Sequence, residues 1–187
     1  YNRGAAEFNL SNCQITDGTS VGYLGNKKIS PGHYLILTAT SSATLLSGYG
    51  DVLGIEKFPS LNNAGDKLVL KSPGGIVIDS VNYIDTWYRS NDKRDGGWSL
   101  ELIDPENLCD EEENWTASED ERGGTPGLQN SVFANKPDVT GPRLLKVFPL
   151  SSTMLKITFD EKLEETIPAA KNFILTPPLI VSAVSFY

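Results

Sequence analysis

WSLELIDPENLCDEEENWTASEDERGGTPGLQNSV, residues 98–132, is the stretch that decides the fold. It opens as a strand in which Trp98, Leu100 and Leu102 alternate with Ser99 and Glu101, which places the apolar side chains on one face and the polar ones on the other. An acidic loop then leads to a second tryptophan. This pattern predicts a structural β element rather than a catalytic motif. The second tryptophan is Trp115. The stretch then closes on Gly123, Gly124, Thr125, Pro126 and Gly127, followed by Asn130 and Ser131.

Short strands separated by turns continue through the rest of the chain. Residues 67–71 and 76–83 are strand-like and flank Ser72-Pro73-Gly74-Gly75, which predicts a hairpin because proline presets one φ and glycine accepts a positive φ. Another strand, residues 34–38, follows the turn at residues 30–32. Since no window has a long 3.6-residue apolar period, we expect little helix and an all-β sandwich.

Two modules are predicted. Residues 1–133 form the first, and the polar, proline-containing residues 134–142 form a linker. Alternation resumes in residues 143–187, where Leu155, Ile157 and Phe159 share one face. That second segment is short for an independent sandwich, so we expect an incomplete β module.

The net charge of −8 is concentrated in one loop. Nine acidic residues and no lysine or arginine lie between Asp104 and Glu121, so the remainder is close to neutral. Such a loop repels phosphate backbones and excludes a nucleic-acid-binding role. Its carboxylates are expected to face solvent. No stretch approaches the roughly 18 apolar residues that a membrane helix needs, so membrane insertion is not expected.

Catalytic motifs are missing from the sequence. His33 is the only histidine, and it follows a Pro-Gly turn without a Ser or Cys nucleophile motif. Glycosidase chemistry needs one carboxyl in an apolar pocket and another that is ionised, and a continuous solvated acidic run offers neither. We therefore expect no enzymatic activity and no bound cofactor.

Two binding alternatives remain open. The carboxylates of Asp110, Glu111, Glu112 and Glu113 could converge with those of residues 119–121 on calcium, which takes six to eight oxygen ligands. No EF-hand loop accompanies them. Alternatively, Trp87 and Tyr88 lie in a polar loop and could form an exposed aromatic binding surface with these carboxylates. Trp98 and Trp115 are instead expected to pack inward.

Cys13 and Cys109 are the only cysteines, and they are far apart in the sequence. Without a C-x-x-C pair, a zinc site or a thioredoxin-like motif is excluded. A disulfide in an oxidising compartment and two buried thiols are both compatible with the sequence.

Taken together, these motifs resemble the lamin tail domain, an Ig-like module, in its bacterial relatives. Those relatives carry a strand with Ser-Leu-Glu, an Asn-Trp-Thr-Ala-Ser segment, a Gly-Gly-Thr-Pro-Gly turn and an Asn-Ser pair. The resemblance covers residues 1–133 and implies an Ig-like sandwich without an active site. The matching segments are residues 1–2, 8–11, 29–34, 63–66, 78–83, 99–102, 114–118, 123–127 and 130–131.

The family usually begins with two further strands, and Tyr1-Asn2 corresponds to the end of the second. The resemblance therefore implies an open sheet edge, covered by a second copy or by a swapped segment. Residues 138–187 are similar to the first half of Ig-like modules of bacterial surface proteins. The residues that match the pattern of those modules are Asp138, Pro142, Pro149 and Ile157-Thr158-Phe159-Asp160-Glu161.

The resemblance implies a non-catalytic module of an exported bacterial protein, located in the periplasm, on the outer surface or outside the cell. Its partner would be a protein or a component of the cell envelope. Two other functions are kept as alternatives: a calcium- or glycan-binding module, and an accessory domain of a secreted hydrolase or nuclease. Fold alone does not decide among them.

Overall fold

The computed structural model describes residues 1–107, 109–163 and 167–186 and divides them into two compact units. Unit 1 comprises Tyr1–Asn107 and Glu111–Pro137. Unit 2 contains the described residues from Asp138 onward, together with Cys109 and Asp110. The division falls within the predicted linker. The grouping of Cys109 and Asp110 with the later residues was not anticipated from the sequence.

Strands dominate both units, as expected for an all-β chain. The ten strands of unit 1 are β1 (Phe8–Asn9), β2 (Gln14–Thr16), β3 (Val21–Tyr23), β4 (Lys28–Ile29), β5 (Ile36–Ala39), β6 (Val52–Ile55), β7 (Gly65–Lys71), β8 (Val77–Ile84), β9 (Leu100–Leu102) and β10 (Trp115–Ala117). Within the described ranges, helix is limited to α1 (Ala43–Leu46), α2 (Asn91–Arg94) and short 3₁₀ turns at Thr40–Ser42, Asp85–Tyr88, Glu112–Asn114 and Ala170–Asn172.

The largest sheet has the order β3-β2-β7-β8 and is antiparallel throughout. The predicted hairpin joins β7 to β8. Its turn closes with the Ser72 amide donating to the Ile76 carbonyl at 2.8 Å, and Gly75 takes φ 82°. The expected turn chemistry therefore sets the longest strand pair of the chain.

The core of unit 1 lies against β2. Leu10, Cys13, Ile15, Leu24 and Ile55 are buried together there. Gly22 faces Ile15 in the ladder, and a Cβ at Gly22 would lie 2.6 Å from Ile55 Cγ2. Glycine is therefore needed for Ile55 to enter the core, where a fully buried isoleucine side chain contributes about 1.5–3 kcal/mol.

The smaller sheets of unit 1 are two-stranded: β1 pairs with β4 and β10 with β9, both antiparallel, whereas β5 pairs with β6 in parallel. Among the described strands, β5 has no strand partner on its edge opposite β6. Unpaired edges of this kind leave backbone N–H and C=O groups available to another strand.

Unit 2 is built on a hairpin of β11 (Leu144–Ser151) and β12 (Met154–Phe159). Every residue of β11 is exposed, and no residue described in this unit is buried. Val147 faces Ile157 and Pro149 faces Leu155, so these four side chains share one apolar face. Val147 and Leu155 therefore remain exposed on this face. Within the described part of the chain, no helix is both long and apolar enough to span a membrane.

Candidate functional site

The stretch from Trp98 to Val132 folds around β9 and β10. Glu101 lies opposite Thr116 in this ladder. The Ser99 amide donates to the Gly123 carbonyl at 2.7 Å, and the Ser118 amide donates to the Ser99 carbonyl at 2.9 Å. The beginning, middle and end of the stretch are thus joined by backbone hydrogen bonds.

Glu101 is buried, with 3% of its surface exposed. Alternation in the sequence places Glu101 on the polar face of the strand, and Thr125 and Ser131 cover that face. Its Oε1 accepts the Thr125 hydroxyl at 2.7 Å and the Thr125 amide at 3.2 Å. Its Oε2 accepts the Ser131 hydroxyl at 2.7 Å and the Ser131 amide at 2.8 Å.

Burial pushes the pKa of Glu101 upward, but hydrogen bonds from Ser131, Thr125 and Ser118 together hold it below its ordinary value of 4.5. These donors stabilise the ionised carboxylate in the absence of a paired cation among the described residues. Glu101 therefore fastens the Thr125 and Ser131 turns to the sheet.

Asn114 is the second buried polar centre, with 1% of its surface exposed. Its side-chain amide donates to the carbonyls of Asp104 at 2.7 Å and Asn107 at 2.6 Å. Its Oδ1 accepts the Asp104 amide at 3.0 Å. All of its hydrogen-bonding groups thus hold the acidic loop in one conformation.

Asp104 corrects the expectation that all nine acidic residues face solvent. It is buried, with 6% of its surface exposed, and its carboxylate accepts the amides of Glu106 at 2.9 Å and Lys136 at 2.8 Å. Asp120 is also engaged, since Arg122 donates to it at 2.8 Å. These hydrogen bonds lower the pKa of Asp120 to about 2.

Cationic side chains hold the acidic loop mainly through its carbonyls. Arg89, which has a left-handed φ of 54°, donates to the Glu112 carbonyl at 3.0 Å and to the Glu113 carboxylate at 3.2 Å. Lys136 Nζ donates to the Glu113 carbonyl at 2.6 Å. Lys93 Nζ donates to the Ser118 carbonyl at 2.6 Å and lies 4.4 Å from the centre of the Trp98 ring. Residue spacing in the sequence contains no signal for these contacts.

The predicted exposed aromatic surface at Trp87 and Tyr88 is wrong. Trp87 is buried, and its ring centre lies 6.4 Å from that of Trp115. Tyr88 is half-buried and donates its hydroxyl to the Trp98 carbonyl at 3.2 Å; burial raises its pKa. The 3₁₀ turn at Asp85–Tyr88 directs both rings inward, so they form the anchor of the loop. Trp98 and Trp115 are themselves half-buried.

The Gly123–Gly127 turn depends on backbone conformations that favour glycine. Gly123 has φ 88° and Gly127 has φ 75°. A Cβ on Gly123 would collide with the Gly97 carbonyl oxygen, and one on Gly127 would lie 2.8 Å from the Tyr49 carbonyl oxygen. Neither glycine can be replaced without moving backbone.

The carboxylates proposed for calcium are mostly dispersed. Within the described ranges, Asp110 alone of that set joins a group that could share an ion, with Asp138 and Glu161, whose oxygens lie within 4.8 Å of one another. Burial is the largest cause that raises the pKa of Glu161. The negative charges of Asp138, Asp160 and Asp110 raise it further. Exposed acidic residues commonly group in this way without an ion. Glu111, Glu112 and Glu113 are exposed and lie outside the group.

The cysteines are both thiols, so the disulfide alternative is not formed. Cys13 lies in the core of unit 1, where burial raises its pKa, and Cys109 is half-buried. His33 is exposed, and its Nδ1 lies 3.0 Å from the Pro31 carbonyl oxygen. Among the described residues, no hydrogen bond joins the His33 imidazole to Glu101.

No protein family model, curated protein or solved structure matches this chain. Function must therefore be argued from the geometry of the two units.

Proposed function

We propose that this chain is a non-catalytic structural and interaction module of an exported bacterial protein, associating with a protein or a component of the cell envelope. In this proposal unit 1 is an Ig-like sandwich of the lamin tail type, and unit 2 is part of a second Ig-like module. The motifs at residues 98–131 and the strand-rich architecture support this assignment.

One observation carries the non-catalytic part of the proposal. Three of the buried polar side chains of the central stretch use their hydrogen-bonding groups to bind turns and loops of the chain itself: Glu101, Asp104 and Asn114. A catalytic carboxylate needs an approachable reacting atom and a partner group positioned for proton transfer. Glu101 instead meets four amide and hydroxyl donors from Thr125 and Ser131.

The apolar face of unit 2 supports the association part. Val147 is 46% exposed and Leu155 is 44% exposed, and both lie on the face shared with Ile157 and Pro149. Contiguous exposed apolar surface of this kind favours association with another surface. The edge of β5 opposite β6 offers further backbone groups for pairing.

Sedimentation velocity of the full chain tests this part with the double variant Val147→Asp/Leu155→Asp. We expect the parent chain to self-associate with rising concentration and the variant to do so at least about tenfold more weakly, because charge is placed on the apolar face. Ser152→Asp/Thr158→Asp adds the same charge at exposed polar positions and should behave as the parent does. Equal association of both variants would contradict the proposal.

Calcium titration separates this proposal from the ligand-binding alternative. Because the carboxylates of residues 110–113 and 119–121 are largely dispersed or exposed, we expect no heat of binding and no shift in melting temperature with calcium. Saturable heat that disappears in Glu161→Gln and persists in Glu119→Gln would instead establish calcium binding at the Asp110–Asp138–Glu161 group.

A further inference from the structure

Glu101 joins parts of unit 1 that are distant from each other in the sequence. It belongs to β9, whereas Thr125 and Ser131 lie 24 and 30 residues further along the chain. Two of the four hydrogen bonds between them come from backbone amides, which can only donate. The carboxylate must therefore present acceptors on both oxygens.

A protonated carboxyl satisfies this arrangement less well than a carboxylate does. Its added proton makes one oxygen a donor, whereas Oε1 already faces the Thr125 amide and the hydroxyls of Thr125 and Ser99, and Oε2 faces the amide and hydroxyl of Ser131. Although a hydroxyl can rotate and accept, the charge that strengthens these hydrogen bonds is lost, and the Thr125 and Ser131 amides keep weakened partners. Protonation thus weakens the attachment of both turns at once.

The charged residues around Glu101 touch its neighbours rather than the carboxylate. Lys93 donates to the Ser118 carbonyl, and the amides of Glu119 and Asp120 donate to the hydroxyls of Ser131 and Ser118. Asp120 is itself paired with Arg122. No lysine, arginine or histidine among the described residues forms a salt bridge with Glu101.

We propose that Glu101 is an acid-sensitive latch, which holds residues 125–131 against β9 while it is ionised and releases them when it is protonated. The release frees Ser131 and Thr125 first. The Asn130 side chain, which donates to the Leu102 carbonyl at 2.8 Å, follows because it lies between them in the chain.

The lowered pKa of Glu101 in the folded state decides how the stability of the latch depends on pH. The pKa of Glu101 is held below 4.5 by its hydrogen bonds despite burial, so the latch contributes stability above the pKa of the unfolded chain. That contribution is lost as the pH falls through the lower pKa of the folded state. Residues 125–131 should therefore open at acidic pH, below the ordinary range of a glutamate.

Hydrogen exchange of the full chain, measured by mass spectrometry and corrected for intrinsic rates, tests the latch. In the parent chain, protection of residues 125–131 should fall on acidification before protection of β7 and β8 does. Glu101→Gln, which places an amide donor against these donors, should raise exchange of residues 125–131 about tenfold or more at neutral pH. Glu121→Gln, at an exposed position, should leave it unchanged.

Ser131→Ala provides a milder test, because Glu101→Gln can also destabilise the whole of unit 1. Removing the Ser131 hydroxyl removes a donor that favours the ionised carboxylate, so the pH at which residues 125–131 open should rise. An unchanged opening pH in Ser131→Ala would overturn the latch. Parent-like protection of residues 125–131 in Glu101→Gln would overturn it equally.

Discussion

At the scale of single residues, buried polar side chains in the central stretch hold separate segments together, as hydrophobic side chains do in the core around β2. Asn114 and Glu101 are almost fully buried, and each fixes loops that are separate in the sequence. Buried polar groups stabilise a fold only when their hydrogen bonds are complete, and an incomplete set costs about 1–3 kcal/mol for each group left without a partner. No buried side-chain nitrogen or oxygen among the described residues lacks a partner.

Replacing Asn114 with alanine should destabilise unit 1 by at least about 2 kcal/mol, because the carbonyls of Asp104 and Asn107 and the Asp104 amide lose their partner. Urea unfolding followed by tryptophan fluorescence measures this change. Asn63→Ala, at an exposed position in a turn, is the matched control and should stay within about 0.5 kcal/mol of the parent. Equal effects of the two substitutions would show that the Asn114 contacts contribute little.

These residues also show which contacts and which burial could not be predicted from the sequence. Alternation within β9 predicts that Glu101 shares a polar face with Ser99, but it does not predict that this face is covered, because alternation describes one strand and not what packs on it. Trp87 appeared exposed because its neighbours are polar, whereas its packing partner Trp115 is distant in the sequence. The hydrogen bond from Lys136 Nζ to the Glu113 carbonyl could not be predicted, because neither residue type nor spacing indicates it.

At the scale of elements, turn chemistry was the most predictable part of the fold. Ser72-Pro73-Gly74-Gly75 forms the expected hairpin turn, because local backbone preferences alone decide it. The Gly123–Gly127 turn was recognised as a turn for the same reason. Its tight approach to the Gly97 and Tyr49 carbonyls depends on tertiary packing, which the sequence does not display.

Alanine substitutions at Gly123 and Gly18 separate these two contributions. Both glycines have a φ near 90°, but a Cβ on Gly18 would meet nothing within 4 Å, whereas one on Gly123 would strike the Gly97 carbonyl. Gly18→Ala should therefore cost only the left-handed strain, about 1–2 kcal/mol. Gly123→Ala should cost about 1–3 kcal/mol more, because the added methyl group must displace backbone. Chemical denaturation of both variants measures the difference, and equal costs would contradict the packing argument.

The hairpin of unit 2 should respond to the charge of Glu161. Its pKa is raised by burial and by Asp138, Asp160 and Asp110, so the ionised form opposes folding. Stability is greatest when the carboxyl is protonated and declines as the pH rises through the raised pKa of the folded state. Glu161→Gln should therefore slow amide exchange in β11 and β12 at neutral pH and have no effect at acidic pH. Glu119→Gln should change neither, and faster exchange in Glu161→Gln would contradict the sign.

At the scale of the whole molecule, the two units differ in how completely they bury their side chains. Unit 1 has a buried core around Ile15 and Ile55 and a closed polar network, whereas none of the residues described in unit 2 is buried. The sequence predicted a thin second module from its short length and its alternation. It could not predict which apolar side chains remain uncovered, because burial depends on neighbours outside the strand.

The central claim is that this chain associates through surfaces that its own fold leaves uncovered. Small-angle X-ray scattering of the full chain over a range of concentrations tests it most directly. We predict that the forward scattering per unit mass rises with concentration and that the limiting mass exceeds that of one chain, 20.4 kDa. A constant 20.4 kDa particle with the dimensions of a closed monomer at every concentration would contradict the account.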